Sequence, residues 1–202
     1  MRLKHILTTS MAFALLLSFG FTKELRVGKD APTFSLEDVN GTIHNLKDYK
    51  GKHVVLEWIN YDCPFVKKHY NSGNMQMLQK KYTEKGVVWL AINSSASGKQ
   101  GNFTQEEILK RTKDHGAAFS AYLIDADGMV GRWYGAKTTP HMFIVDPKGK
   151  VAYAGAIDDI KSTKVADIEK ATNYISAALD AALTGKKIEV TTTKPYGCSV
   201  KY

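Results

Sequence analysis

Residues 53–70 read HVVLEWINYDCPFVKKHY, and the junction inside that stretch decides the fold. HVVLEWIN, residues 53 to 60, is a β-branched apolar run of the kind that forms a strand covered on both faces. Pro64 suits the first position of a helix, because its fixed φ fits the turn and its missing N–H would be unpaired there anyway. Cys63 therefore stands where a buried strand meets a helix start. Its sulfur is expected near unpaired N–H groups and the positive end of the helix dipole, and both favour thiolate over thiol. Lys67 and Lys68, one turn along, are expected to add to that field, weakly because it acts through solvent. The alternative is an inert buried cysteine packed as a small hydrophobe.

Outward from this junction, strand and helix signals alternate, which predicts an α/β sandwich. NSG at 71 to 73 interrupts the first helix, which resumes with Met75, Leu78 and Tyr82 on one face. GVVWLAIN at 86 to 93 predicts a second buried strand. Thr104 followed by Glu107 has capping-box spacing, opening a helix that stops near Gly116. FSAYLID at 119 to 125 predicts a third strand, and HMFIVDPKGKVAYAGAID at 141 to 158 two strands joined by a tight turn. Val165, Ile168, Thr172, Ile175, Leu179 and Leu183 keep to one helical face until Gly185. Residues 186 to 202 read as a polar tail, loosened at Gly197, that carries Cys198.

The 202 residues, 44% of them hydrophobic, are enough for one good core. Residues 1–20 stand apart: MRLKH is basic, ILTTSMAFALLLSFG apolar, and Ser18 and Gly20 are small. This reads as a secretory signal, with an uncleaved anchor as the minority reading, so a periplasmic or secreted location is expected, with no stable membrane insertion after cleavage. The formal charge is +8, and losing Arg2 and Lys4 with the leader leaves the mature chain basic. Its lysines are spread without runs or basic–aromatic alternation, so nucleic-acid binding is not indicated. Two cysteines, Cys63 and Cys198, in an exported chain make a disulfide chemically possible.

A strand, Cys-Pro-x-x at a helix start, and then Thr-Thr-Pro before FIVDPKGK resemble the thioredoxin-like superfamily, in particular its secreted redoxin and peroxiredoxin-like (alkyl hydroperoxide reductase–thiol-specific antioxidant) members. The resemblance covers roughly residues 25 to 185. It implies a three-layer sandwich with a central mixed sheet flanked by helices, and an exported thiol oxidoreductase. Cys63 matches the family's nucleophile, and Val66 stands where the second cysteine of Cys-x-x-Cys would be. Thr139 and Pro140 match the loop whose cis-proline faces the active sulfur. Glu57 matches a buried acid that shuttles protons. Cys198 resembles the C-terminal resolving cysteine of some peroxiredoxin-like redoxins, with a permanent structural disulfide as the alternative.

Departures matter too. Peroxiredoxins proper carry a proline and a Thr or Ser where this chain has Leu56 and Asn60, and Arg132, the sole candidate for their pocket arginine, reads rather as a surface residue. The expected substrate is thus a protein disulfide or a hydroperoxide, with a thiol reductant as second partner. No cofactor or metal is expected. Two other readings are a redox-inactive interaction module and a copper carrier, the latter drawing on Met75, Met77, His69 and His141. Trp58, Trp89 and Trp133 are expected in the core or the site wall.

Overall fold

The computed structural model describes residues 25–202, and the leader expected at residues 1–20 lies outside the described residues. The chain opens with an antiparallel hairpin, β1 (Ser35–Asp38) and β2 (Ile43–Asn45). Asp38 forms its turn by accepting the N–H groups of Asn40 and Thr42. Strand β3 (Val54–Trp58) leads into α1 (Pro64–Asn71) and α2 (Asn74–Thr83). The break between those helices falls at Gly73, whose φ of 74° is a left-handed conformation that glycine tolerates. Strand β4 (Val88–Asn93) and helix α3 (Gln105–Asp114) follow, with both hydrogen bonds of the Thr104–Glu107 capping box in place. Next come β5 (Ala121–Ile124), α4 (Met129–Tyr134), β6 (Thr138–Thr139), β7 (His141–Val145), β8 (Val151–Gly155), α5 (Tyr174–Leu183) and β9 (Cys198–Ser199).

Seven strands form one mixed sheet in the order β2-β1-β5-β4-β3-β7-β8. The β3/β4 and β4/β5 pairs are parallel, and the outer pairs antiparallel. Alternation along each strand builds two cores. Val55, Ile59, Trp89, Ala91 and Tyr122 face Val66 and Tyr70 of α1, Leu78 and Tyr82 of α2, Ile108 of α3 and Leu179 of α5. Leu56, Trp58, Leu90, Ile92 and Phe143 face Val130 and Tyr134 of α4 and the N-terminal segment. This is the three-layer sandwich that the sequence predicts.

Three expectations are corrected. The helical face read from Val165 to Leu183 is really a 3-10 turn at Val165–Asp167 followed by α5. Asp159 accepts the N–H of Thr172, and Asn173 bridges Asp158 and caps Ser176, so residues 172–173 belong to a loop tied to the end of β8. Trp133 is exposed on α4, outside both cores. The tail is docked. Thr191 and Thr193 pair with Ala154, and β9 pairs antiparallel with β6.

Candidate active site

The site lies where β3 ends and α1 begins. Asn60, buried, shapes the turn there: its side-chain Oδ1 accepts the N–H of Asp62 and its carbonyl the N–H of Cys63. Asn60 thus makes this turn from the position where peroxiredoxins carry Thr or Ser. Cys63 is the N-cap of α1, with Pro64 as its first residue, and its side chain has 0% exposure. The Cys63 thiol donates to the carbonyl of Thr139 at 3.0 Å. Thr139 precedes Pro140 through a cis peptide bond, so the loop expected to face the sulfur does so.

The same short β6 strand brings in the second cysteine. Thr139 pairs with Cys198 across the β6–β9 ladder, and Thr138 with Ser199. Gly197 lets the two strands meet this closely: a Cβ at that position would lie 2.1 Å from the Thr139 carbonyl oxygen, and its φ is 143°. Both cysteines are free thiols. Their surroundings make them unlike. Burial, the largest influence, raises the pKa of Cys63, but donors more than offset it: the Cys198 side chain, Thr139, and the N–H groups of Cys198 and Val66 hold it below the ordinary value. Cys198 is pushed up to about 11, first by burial and then by its hydrogen bond to Cys63 and that group's charge. One sulfur is arranged to ionise and the other to keep its proton. The Thr139 hydroxyl is buried with no hydrogen-bond partner of good geometry, and a thiolate at Cys63 gives it one.

The helix start therefore acts on Cys63 through a specific donor, the Val66 N–H, and of the two lysines only Lys68 departs from its expected solvent-facing place. Lys67 is exposed. Lys68 is buried, its Nζ donating to Asp158 Oδ2 at 3.1 Å and to the carbonyl of Ile160 at 3.0 Å. Its charge is spent on that ion pair.

Glu57 points from β3 into the core that holds Cys63, and is fully buried. Its carboxylate accepts from Tyr70 at 2.9 Å, Gln79 at 3.1 Å and the Trp89 indole at 2.8 Å. Burial pushes its pKa to about 7 against the pull of these three donors. Arg132 lies exposed on α4, donating to the carbonyl of Asp127 and sitting 4.3 Å from the ring centre of Tyr202. The candidate copper ligands are scattered. Met75 is buried and Met77 exposed, while His69 binds Asn74 and His141 accepts the Lys137 N–H. Among the described residues no three His, Cys, Asp or Glu side chains gather as metal ligands.

The buried group formed by Lys68, Asp158, His69 and Tyr196 is not legible in the sequence. The Tyr196 hydroxyl donates to Asp158 Oδ1, and His69 Nε2 lies 3.4 Å from that hydroxyl. Lys68 and His69 have no apolar spacing that would mark them as inward. Tyr196, two residues before Cys198, was the one visible signal.

A cap cysteine beside a cis-proline loop on this sheet defines a thiol–disulfide oxidoreductase of thioredoxin type. The chain belongs to the Redoxin family, whose profile matches residues 26–172. It is 32% identical over 148 residues to the thiol-disulfide oxidoreductase ResA of Bacillus thuringiensis subsp. konkukian, an alignment covering 72% of this chain and 79% of that one. An uncharacterized conserved protein of Geobacillus kaustophilus superposes with a TM-score of 0.74 at 32% identity, covering 88% of this chain and 93% of that chain. A hypothetical protein of Sinorhizobium meliloti gives 0.73 at 28% identity, covering 89% and 96%.

Proposed function

We propose that the chain is an exported dithiol reductase of protein disulfides, with Cys63 as nucleophile and Cys198 as resolving thiol. The domain is residues 25–185, the tail 186–202 supplies the second sulfur, and the N-terminal basic-apolar segment directs the chain to a periplasmic or secreted location. The observation that carries this reading is the register of β9 on β6, which sets Cys198 opposite the residue whose carbonyl the Cys63 sulfur touches. Position 66 holds valine, and the tail delivers what that position lacks.

In the first step the Cys63 thiolate attacks one sulfur of the substrate disulfide. That S–S bond breaks, a mixed disulfide forms, and the first substrate thiol leaves with a proton. Cys198 then loses its proton and attacks Cys63. The mixed disulfide breaks, the second substrate thiol leaves, and a Cys63–Cys198 bond remains. Two electrons have passed to the substrate, and an external dithiol returns the enzyme to its reduced form. Glu57, with a pKa of about 7, is the buried acid matched to exchanging protons at neutral pH. Thr139 and Pro140 hold the carbonyl and backbone that frame the sulfur.

A disulfide is favoured over a hydroperoxide because Arg132 is engaged at Asp127 and Tyr202, and Leu56 and Asn60 replace the peroxide-pocket residues. The test compares both oxidants on reduced full-length protein and on Cys198→Ala, with mass mapping after acid quench. The reading expects the wild type to form Cys63–Cys198, the variant to trap a mixed disulfide with an oxidised peptide, and peptide to react faster than hydrogen peroxide. Faster reaction with peroxide, leaving a sulfenic acid on Cys63, overturns the substrate assignment.

A further inference from the structure

We propose that Tyr196 is a positioning residue: its hydroxyl, seated on the buried Lys68–Asp158 ion pair, fixes the tail so that the Cys198 sulfur stays beside Cys63. This rests on the reading of Cys198 as the resolving thiol and adds the group that makes it effective.

The residues around Tyr196 tie the tail to the nucleophile's own helix. Lys68 lies on α1, five residues after Cys63, and its ion pair with Asp158 is sealed, the side chains being 0% and 2% exposed. Asp158 divides its oxygens: Oδ2 takes Lys68, while Oδ1 takes the Tyr196 hydroxyl and the Ile160 N–H. Asn74 donates to His69 Nδ1, which leaves the ring proton on Nε2, facing the Tyr196 hydroxyl. The Tyr196 ring packs edge-on against Phe65, 5.7 Å between centres, also on α1. Phe65, Lys68 and His69 of α1, together with Asp158 from the segment after β8, thus hold the tail's anchor against the helix that Cys63 caps.

Only Gly197 separates that anchor from Cys198, and it is pressed on the Thr139 backbone. Beyond Cys198 the chain is held by the loop side instead. The Val200 N–H donates to Lys137, the Lys201 carbonyl accepts from Ala96, and the Tyr202 hydroxyl donates to the carbonyl of Ala136. Tyr196 is thus the side chain that fixes the distance between the two sulfurs from the Cys63 side. Intramolecular attack depends on that fixed geometry, because a tethered but wandering thiol has a far lower effective concentration.

The experiment uses full-length protein equilibrated with reduced and oxidised glutathione, with the Cys63–Cys198 bond quantified by mass after acid quench. Tyr196→Phe keeps the ring against Phe65 and removes only the hydroxyl. It should lower the equilibrium constant for the internal disulfide about tenfold, the effect of one hydrogen bond to a charged group. The alkylation midpoint of Cys63 should rise, and that rise should vanish when Cys198→Ser is already present, since Tyr196 acts through Cys198. A second variant, one glycine inserted between Tyr196 and Gly197, leaves the anchor and shifts the sulfur, and it should weaken the bond at least as much. An unchanged equilibrium in Tyr196→Phe, whatever the insertion does, or a midpoint shift that persists with Cys198→Ser, overturns the positioning role alone. A wild type that never forms the bond overturns the resolving-thiol reading and this inference together.

Discussion

A group buried without water keeps its charge only where donors replace that water, and Glu57 and Cys63 fall on opposite sides of this balance. At Cys63 the donors win and the thiol is held below its ordinary value. At Glu57 desolvation wins, raising the carboxyl from 4.5 to about 7 despite Tyr70, Gln79 and Trp89. Glu57 therefore binds its proton more tightly in the folded state than in the unfolded one. Between pH 4.5 and 7 the folded protein holds more protons, so this residue's contribution to stability is greatest at or below pH 4.5 and is lost as pH rises through about 7. The loss amounts to about 3 kcal/mol over the whole window, from roughly 1.4 kcal/mol per pKa unit. Glu57→Gln, neutral at every pH, should flatten that part of the stability curve while keeping the fold, as urea melts at pH 5 and pH 8 will show. A variant with the same slope as wild type would mean that Glu57 is ionised throughout this range and is no proton carrier.

At the scale of elements, the β6–β9 ladder is two residues long, and Gly197 decides whether it forms. An added Cβ would meet both the oxygen and the carbon of the Thr139 carbonyl, at 2.1 and 2.7 Å, on a backbone with φ of 143°. Gly197→Ala should therefore lift β9 from β6. Iodoacetamide should then label Cys63 faster than in wild type, air oxidation to the internal disulfide should slow, and the fold should lose about 1 to 3 kcal/mol. Equal labelling rates in the two proteins would show that β9 does not shield Cys63. Such contacts were only partly legible in the sequence. The strands of the sheet centre were, because fully buried β-branched runs such as those at 53–60 and 86–93 have few other uses, and so were α1, from Pro64, and α3, from its capping box. The hairpin of β1 and β2 carries no clean alternation, being half exposed at an edge. The short helix α4 is bounded by Gly128 and Gly135 rather than by polar caps. The docking of β9 depends on pairing across the whole chain, which local pattern does not encode. Lys68 misled for a related reason: a lysine reads as solvent-facing unless its partner is known, and Asp158 lies 90 residues away.

For the molecule as a whole, the proposed Cys63–Cys198 bond would close a loop running from the end of β3 to β9, most of the described chain, and this would make oxidation a global event. In the unfolded chain those sulfurs meet rarely, so a bond between them removes much of the unfolded state's freedom, by about 5 kcal/mol for a loop of this length in the chain-entropy model. In the folded chain they are already neighbours, held by β6, Gly197 and Tyr196. A thermodynamic cycle joins the two facts: oxidation stabilises the fold by as much as folding favours the bond. The oxidised protein should accordingly melt above the reduced one by roughly 10 to 20 °C, given about 2 to 4 °C per kcal/mol for a domain of this size. Oxidation should also leave the mass of the particle unchanged, since the partner sulfur is supplied within the chain. Scanning calorimetry of the two forms, with light scattering to report mass, measures both. A thermal shift near zero would mean that the reduced tail leaves Cys63 in solution, while a large shift that a dithiol reverses below the melting temperature identifies a bond made and broken within the native fold.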